Sequence, residues 1–240
     1  MKLFQRIVFA AVLAGLAAGL GMSALQQWKV APLIVVAESY ETAAADHAHD
    51  AATPAHTHDA EAWAPQDGLE RTAYTLLANV LAAIGFALLL GAVSVLAGIE
   101  ITAGNGTLWG LGGFIAFQLA PAIGLPPVLP GMAAAELGAR QLWWWGTALS
   151  TGAGLLAVAK FRNSIGIAVA ALLILAPQIV GAPQLAAEHG SALPAELASA
   201  YAAAALAVGA AFWLVMGPLL GWISQRFARA EAKAMKGAHA

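Results

Sequence analysis

Residues 72–99 read TAYTLLANVLAAIGFALLLGAVSVLAGI, with Arg71 immediately before and Glu100 immediately after. No charge interrupts the run. A bilayer core about 30 Å thick is crossed by roughly 20 helical residues rising about 1.5 Å each. A single Asp, Lys or Arg at the centre of such a helix costs about 2.5–3.5 kcal/mol. A charge-free stretch of this length therefore predicts a membrane-spanning helix.

Five further runs fit the same template: residues 7–28, 107–125, 141–159, 163–181 and 201–222. The run at 107–125 lies in a longer apolar tract, 101–135, which Pro121, Pro126, Pro127, Pro130 and Gly131 break into a helix and a proline-rich exit. Composition agrees. Of the 240 residues 60% are hydrophobic and 10% charged, whereas a soluble domain carries about 25% charged residues. The mean hydropathy is +0.75, so the outer face must meet lipid. The expected fold is all-α: one membrane domain, residues 1–240, built as a polytopic bundle of about six transmembrane helices.

Lysine and arginine placement sets the orientation, because cytoplasmic loops carry the excess. With both termini cytoplasmic, the inner segments hold Lys2, Arg6, Lys160, Arg162, Arg226, Arg229, Lys233 and Lys236. The outer segments keep Lys29, Arg71 and Arg140. Residues 223–240 then form a basic cytoplasmic tail, and 26–71 an extracytoplasmic His/Asp-rich loop. The first run also matches a signal peptide, with Met22-Ser23-Ala24 as a small-residue site; its length favours a retained helix. Trp28, Trp109, Trp143, Trp144, Trp145 and Trp222 fall near span ends, as an interfacial belt does. For the triplet 143–145 an aromatic gate is the other reading.

Several function classes drop out. Cysteine is absent, which excludes disulfides and thiolate ligands. No lysine sits in a Walker-type Gly-Lys-Ser/Thr context, so the chain is not an ATPase by itself. A net charge of −2 gives no support to nucleic-acid binding. No compact acid/base constellation lies at one depth, so an enzyme is not expected.

The most polar part of the chain is residues 46–59, DHAHDAATPAHTHD. It holds His47, His49, His56 and His58, four of the six histidines, beside Asp46, Asp50 and Asp59. Imidazole and carboxylate together ligate divalent transition metals. In a flexible chain a His-x-His unit can wrap one cation, whereas on a helix residues two apart face away from each other. The spacing therefore suits a loop that collects metal, and the bland alternative is a solvated linker. Residues 30–37 before it are apolar and either lie on the membrane surface or continue the first helix. Glu38 and Glu41 follow at a spacing that puts both on one helical face.

Two spans close on a similar pattern, LAPAIGLP at 119–126 and LAPQIVGAP at 175–183. Proline frees backbone carbonyls and kinks a helix, and broken helices lining a cavity are where transporters build cation sites. Pro121, Pro177, Gln118 and Gln178 are therefore candidate pathway residues, with Glu136, Glu188 and His189 at the outer loops. The alternative is ordinary proline at helix ends. Asn79, Ser94, Thr147, Ser150 and Thr151 read as interhelical hydrogen bonds. The many Gly and Ala residues read as close-packing positions.

Seven segments taken in order resemble the CbtA family of proposed cobalt transporter subunits. They are RIVFAAVLAGLAAGLGMSALQQ, PLIVVAESYE, WAPQDGLERTAY, LAPAIGLPPVLPG, GARQLWWWGT, APQIVGAPQ and FWLVMGPLLGW. The resemblance spans nearly the whole chain. It implies a multi-pass protein of the bacterial inner membrane linked to cobalamin-related cobalt uptake, and a small single-span CbtB-like partner with a His-rich tail. Relatives often carry an acid in place of Val128 and histidine around Gln178 or Gln184. Here those positions offer weaker ligands or none, which shifts weight to the histidine loop and to Glu38, Glu41 and Glu136.

The expected function is a membrane subunit of a divalent-metal uptake transporter. Its cargo is cobalt, with nickel or zinc satisfying the same ligands, and no cofactor is bound permanently. Capture should weaken as histidine protonates below about pH 6.5. A non-transporting membrane metal chaperone or sensor that assists a partner transporter is the second reading.

Overall fold

The computed structural model describes residues 3–48, 65–184 and 193–238, of which 41–48 and 237–238 by backbone only. Helices appear where the charge-free runs predict them: α1 Leu3–Lys29, α3 Leu69–Ala97, α6 Leu137–Lys160, α7 Ser164–Val180 and α8 Ala195–Ala238. The run at 107–125 forms one rod in three parts, α4 Gly106–Phe114, a π turn Ile115–Leu119 and α5 Ala120–Gly124. No strand occurs among the described residues. Four helices are long and apolar enough to cross a membrane: Leu3–Lys29, Leu69–Ala97, Gly106–Gly124 and the α8 stretch Ala195–Lys236. Four of the six expected spans thus meet the length and composition for crossing. Helix α7 is apolar but has only 17 residues. Polar positions such as Arg140, Gln141 and Lys160 dilute α6.

The rods pair antiparallel through their smallest residues. A Cβ added at Gly15 would sit 2.6 Å from the backbone of Ile84, and one at Gly19 2.8 Å from that of Val80. Near the other end, a Cβ at Gly91 would come 2.8 Å from the Ile7 side chain, so α1 and α3 run in opposite directions. Gly106 and Gly110 of α4 meet Gly217–Pro218 and Trp213 of α8. Gly154 of α6 meets Ala170 of α7. In lipid no hydrophobic force pulls helices together, and backbones that approach closely through Gly and Ala gain packing instead. The core at the α1–α3–α8 junction accordingly combines Ala10, Ala14, Ala83 and Ala87 with Trp213 and Met216 of α8.

Helix ends follow local chemistry. Gly98 takes a left-handed φ of 68° and, with Ile99, returns backbone N–H bonds to Val95 and Ser94, closing α3. Thr102 and Asn105 exchange side-chain–backbone bonds of 2.7 and 3.2 Å to turn the chain into α4. The Asn163 side chain caps α7 by accepting from the Gly166 N–H at 2.8 Å.

Residues 31–37 belong to a helix of their own and do not extend α1. The chain breaks at Val30, where Pro32 has no N–H to offer the Trp28 carbonyl. It restarts as α2, Ala31–Ala48. Ala37 is fully buried with Leu129 and Leu193, flanked by Ile34, Met132 and Tyr201. Helix α2 therefore packs on the proline-rich exit and the start of α8. Helix α8 runs unbroken through residues 223–238.

Candidate functional site

The expected metal collector lies mostly outside the described residues: His49, Asp50, His56, His58 and Asp59 do, and so do Glu188 and His189. Glu41, Asp46 and His47 fall on the backbone of α2, so the helix reaches further into the histidine tract than a loop reading expects. Among the described residues no group of three or more His, Cys, Asp or Glu could hold a metal ion.

Glu38 is engaged elsewhere. Arg71 donates Nη2–H to its Oε1 at 2.5 Å and Nη1–H to its Oε2 at 3.1 Å, and also reaches Asp67 Oδ1 at 3.1 Å. A planar guanidinium holding both carboxylate oxygens is the geometry that recognises carboxylate best. The pair ties α2 to the start of α3.

Glu136 opens α6 as its N-cap. Its carboxylate accepts from the N–H groups of Gly138 at 2.7 Å and Ala139 at 2.6 Å. Those two backbone donors hold its carboxyl below the usual carboxylate range. A depressed folded-state value means the cap contributes fully above the unfolded-state pKa and is lost as pH falls through the folded one. Acidification through that range is expected to lower the protection of the Gly138 and Ala139 amides, read as exchange relative to the intrinsic rate at each pH. In Glu136→Gln the protection should no longer change across that range.

The two proline breaks are brought together, and carbonyls beside each accept from other helices. Gln178 Nε2 donates to Ala120 O at 2.9 Å, joining α7 to α5 beside Pro121. Trp143 Nε1–H donates to Pro177 O at 3.1 Å. Pro177 cannot bond the Leu173 carbonyl one turn back, and the Ser150 hydroxyl donates to that oxygen instead. In this state the breaks act as joints between helices. Ahead of Pro121 the π turn shifts the ladder by one residue, with the Ala120 N–H reaching Ile115 O.

Two cavities flank that π turn. The outer one, about 640 Å³, is walled by the proline-rich exit, the start of α6 and Ala205–Leu206 of α8. Arg140 is the one charged side chain in its described lining. The inner one, about 170 Å³, lies between α1, α3 and α8 and is bordered by Met22, Asn79, Phe86 and Trp213. Phe117, Gln118 and Trp144 line both. Among the described residues the Gln118 Oε1 is buried without a hydrogen-bond partner, as is Thr151 Oγ1. Leaving such a group unmet costs about 1–3 kcal/mol.

The three tryptophans of the triplet have different surroundings. Trp143 is half-buried against α7, Trp144 faces Phe117 at 6.1 Å, and Trp145 alone is largely exposed. Of the expected interhelical polar bonds, Asn79 makes two, to Ser23 Oγ at 3.0 Å and Gln26 Oε1 at 2.6 Å, and Ser150 makes one. Thr147 and Ser94 bond their own backbone neighbourhood, at Trp143 O and Ile99 O. In the sequence Arg140 counts only as an outer basic residue, and Gly209 only as one of the packing glycines. Gly209 is a bare stretch of α8 against which the Gln118 carboxamide packs.

With that geometry in view, a family model described as "Probable cobalt transporter subunit (CbtA)" matches residues 4–225. The chain belongs to this family. The match takes in every helix named above except the last turns of α8, so both cavities lie within it. Membership together with several long apolar helices makes this a multi-pass membrane protein of a transporter-subunit family. No curated protein and no solved structure matches the chain.

Proposed function

We propose that this chain is the membrane-embedded subunit of a divalent-cation uptake transporter in the bacterial inner membrane, with cobalt as its cargo. The carrying observation is a family match to cobalt transporter subunits over a bundle that contains two adjoining cavities. In this reading α6 and α7 cross the membrane beside the four longer rods, both termini are cytoplasmic, and residues 46–59 concentrate metal outside. Helices of opposed direction and the split of basic residues support that topology. A small single-span CbtB-like subunit with a His-rich tail completes the transporter. Nickel and zinc suit the same nitrogen and oxygen ligands.

Radiolabelled cobalt uptake by cells holding the chain, with and without that subunit, is the test. No cobalt-dependent difference, with the protein confirmed in the membrane, would sink the proposal. Deleting residues 46–59 is expected to lower uptake at scarce cobalt by roughly tenfold, the scale on which a tethered collector raises local concentration. Uptake at abundant cobalt should persist. Failure at every concentration would instead favour the membrane chaperone or sensor.

A further inference from the structure

We infer that the Gln118 carboxamide is a cargo-contacting residue at the constriction between the two cavities, and that its side chain closes the route there. The inference rests on the transport reading for the identity of the cargo and on geometry alone for the passage. Gln118 is one of three residues that line both cavities, and the other two are aromatic. Phe117 stacks on Trp213 at 5.8 Å and 8° and faces Trp144 at 6.1 Å, so rings wall the passage on two sides. The polar atom left between them is Gln118 Oε1, buried and without a partner among the described residues.

The opposite wall is made for this side chain. At Gly209 a Cβ would fall 2.5 Å from Gln118 Nε2 and closer still to Oε1, so the carboxamide fills the space that any other residue would occupy. The support beneath Gln118 is the π turn Ile115–Leu119. Such turns interrupt the helix ladder and recur at functional sites. A rotation of Gln118 away from Gly209 would join the cavities without moving a helix.

The chemistry selects a cation. An amide oxygen has only acceptor character and ligates divalent metals. Ring faces attract positive charge. A hydrated divalent cation arriving from the outer cavity could exchange a water for Gln118 Oε1 and pass on toward Asn79, which borders the inner cavity.

The chain has no cysteine, which makes a single introduced thiol a clean probe. Met22→Cys places it in the inner cavity, and Ala134→Cys in the outer one serves as the reference. A cationic methanethiosulfonate is added from outside to membranes carrying the full chain. Because thiolate forms only where water reaches, Gln118→Ala should speed labelling of Met22→Cys by about tenfold or more over the parent. Gln118→Leu, which keeps the bulk and drops the oxygen, should label as slowly as the parent. Cobalt should slow labelling with Gln118 present and not in Gln118→Leu, whose cobalt uptake should also fall about tenfold.

Equal labelling of Met22→Cys in all three backgrounds, with Ala134→Cys reacting normally, overturns the passage. Cobalt protection that survives Gln118→Leu overturns the contact. Should Gln118→Ala fail to reach the membrane, Gln118→Ser shortens the side chain by the same logic. If the labelling pattern holds while the parent takes up no cobalt, the transport reading fails and the passage stands.

Discussion

Gly110→Ala is expected to destabilise the protein by about 3 kcal/mol or more, the upper end of what overpacking costs in a tight interior. A single methyl is enough because its neighbours are backbone. The new Cβ would land on the Trp213 carbonyl oxygen, 3.0 Å from its carbon and 3.6 Å from Gly217 Cα. A side chain could rotate away, but here α4 or α8 must shift. Gly106 and Gly217 pin the same crossing one turn further along, so neither helix can shift alone. A loss of this size is a large share of the roughly 5–15 kcal/mol that holds a domain folded. Gly146→Ala is the contrast, since nothing lies within 4 Å of the Cβ it would add. There the better helix former should gain about 0.5–1 kcal/mol. Thermal unfolding of both variants in detergent checks the pair. If Gly110→Ala melts with the parent, the α4–α8 contact is looser than described.

The rods were legible because a buried charge is expensive, and the charge-free runs mark where none can be tolerated. Which way a residue faces within a rod was not legible. Hydropathy placed Trp143–Trp145 near a membrane boundary, yet two of the three turn inward to Pro177 and Phe117. The proline breaks could be seen in sequence, but the groups that bond the carbonyls beside them come from other helices. Ser150 serves Leu173 and Gln178 serves Ala120, 23 and 58 residues apart in the chain. Glu38 looked like a ligand because it shares a helical face with Glu41 close to the histidine tract. Its partner Arg71 stands 33 residues away, and no local pattern links them. Gln118 could be suspected from its place beside Pro121. That it lines both cavities depends on Gly209 and the π turn, neither of which has a signature in a single sequence.

Trp213→Ala is expected to lower stability by about 3–5 kcal/mol, the range for emptying a large aromatic site. The cause differs from that in a water-soluble core. Trp213 is 1% exposed, and in a bilayer its removal exposes no apolar surface to water. What disappears is dispersion contact, since a void gives its lining no partner atoms. The ring lies in the hollow left by Gly113, within 2.8 Å of where a Cβ there would sit. It also meets Phe86 at 5.0 Å, Phe212 at 5.4 Å and Phe117 at 5.8 Å. All of these would lose a neighbour at once. Trp213→Phe keeps one ring in the hollow and should retain most of the stability. The ordering parent, then phenylalanine, then alanine is read from melting temperatures in lipid nanodiscs. If alanine melts with the parent, the bundle has collapsed around the gap and the aromatic wall is not what holds α8 against α4. If alanine and phenylalanine fall together, the indole itself matters, through its N–H or its second ring, more than filled volume does.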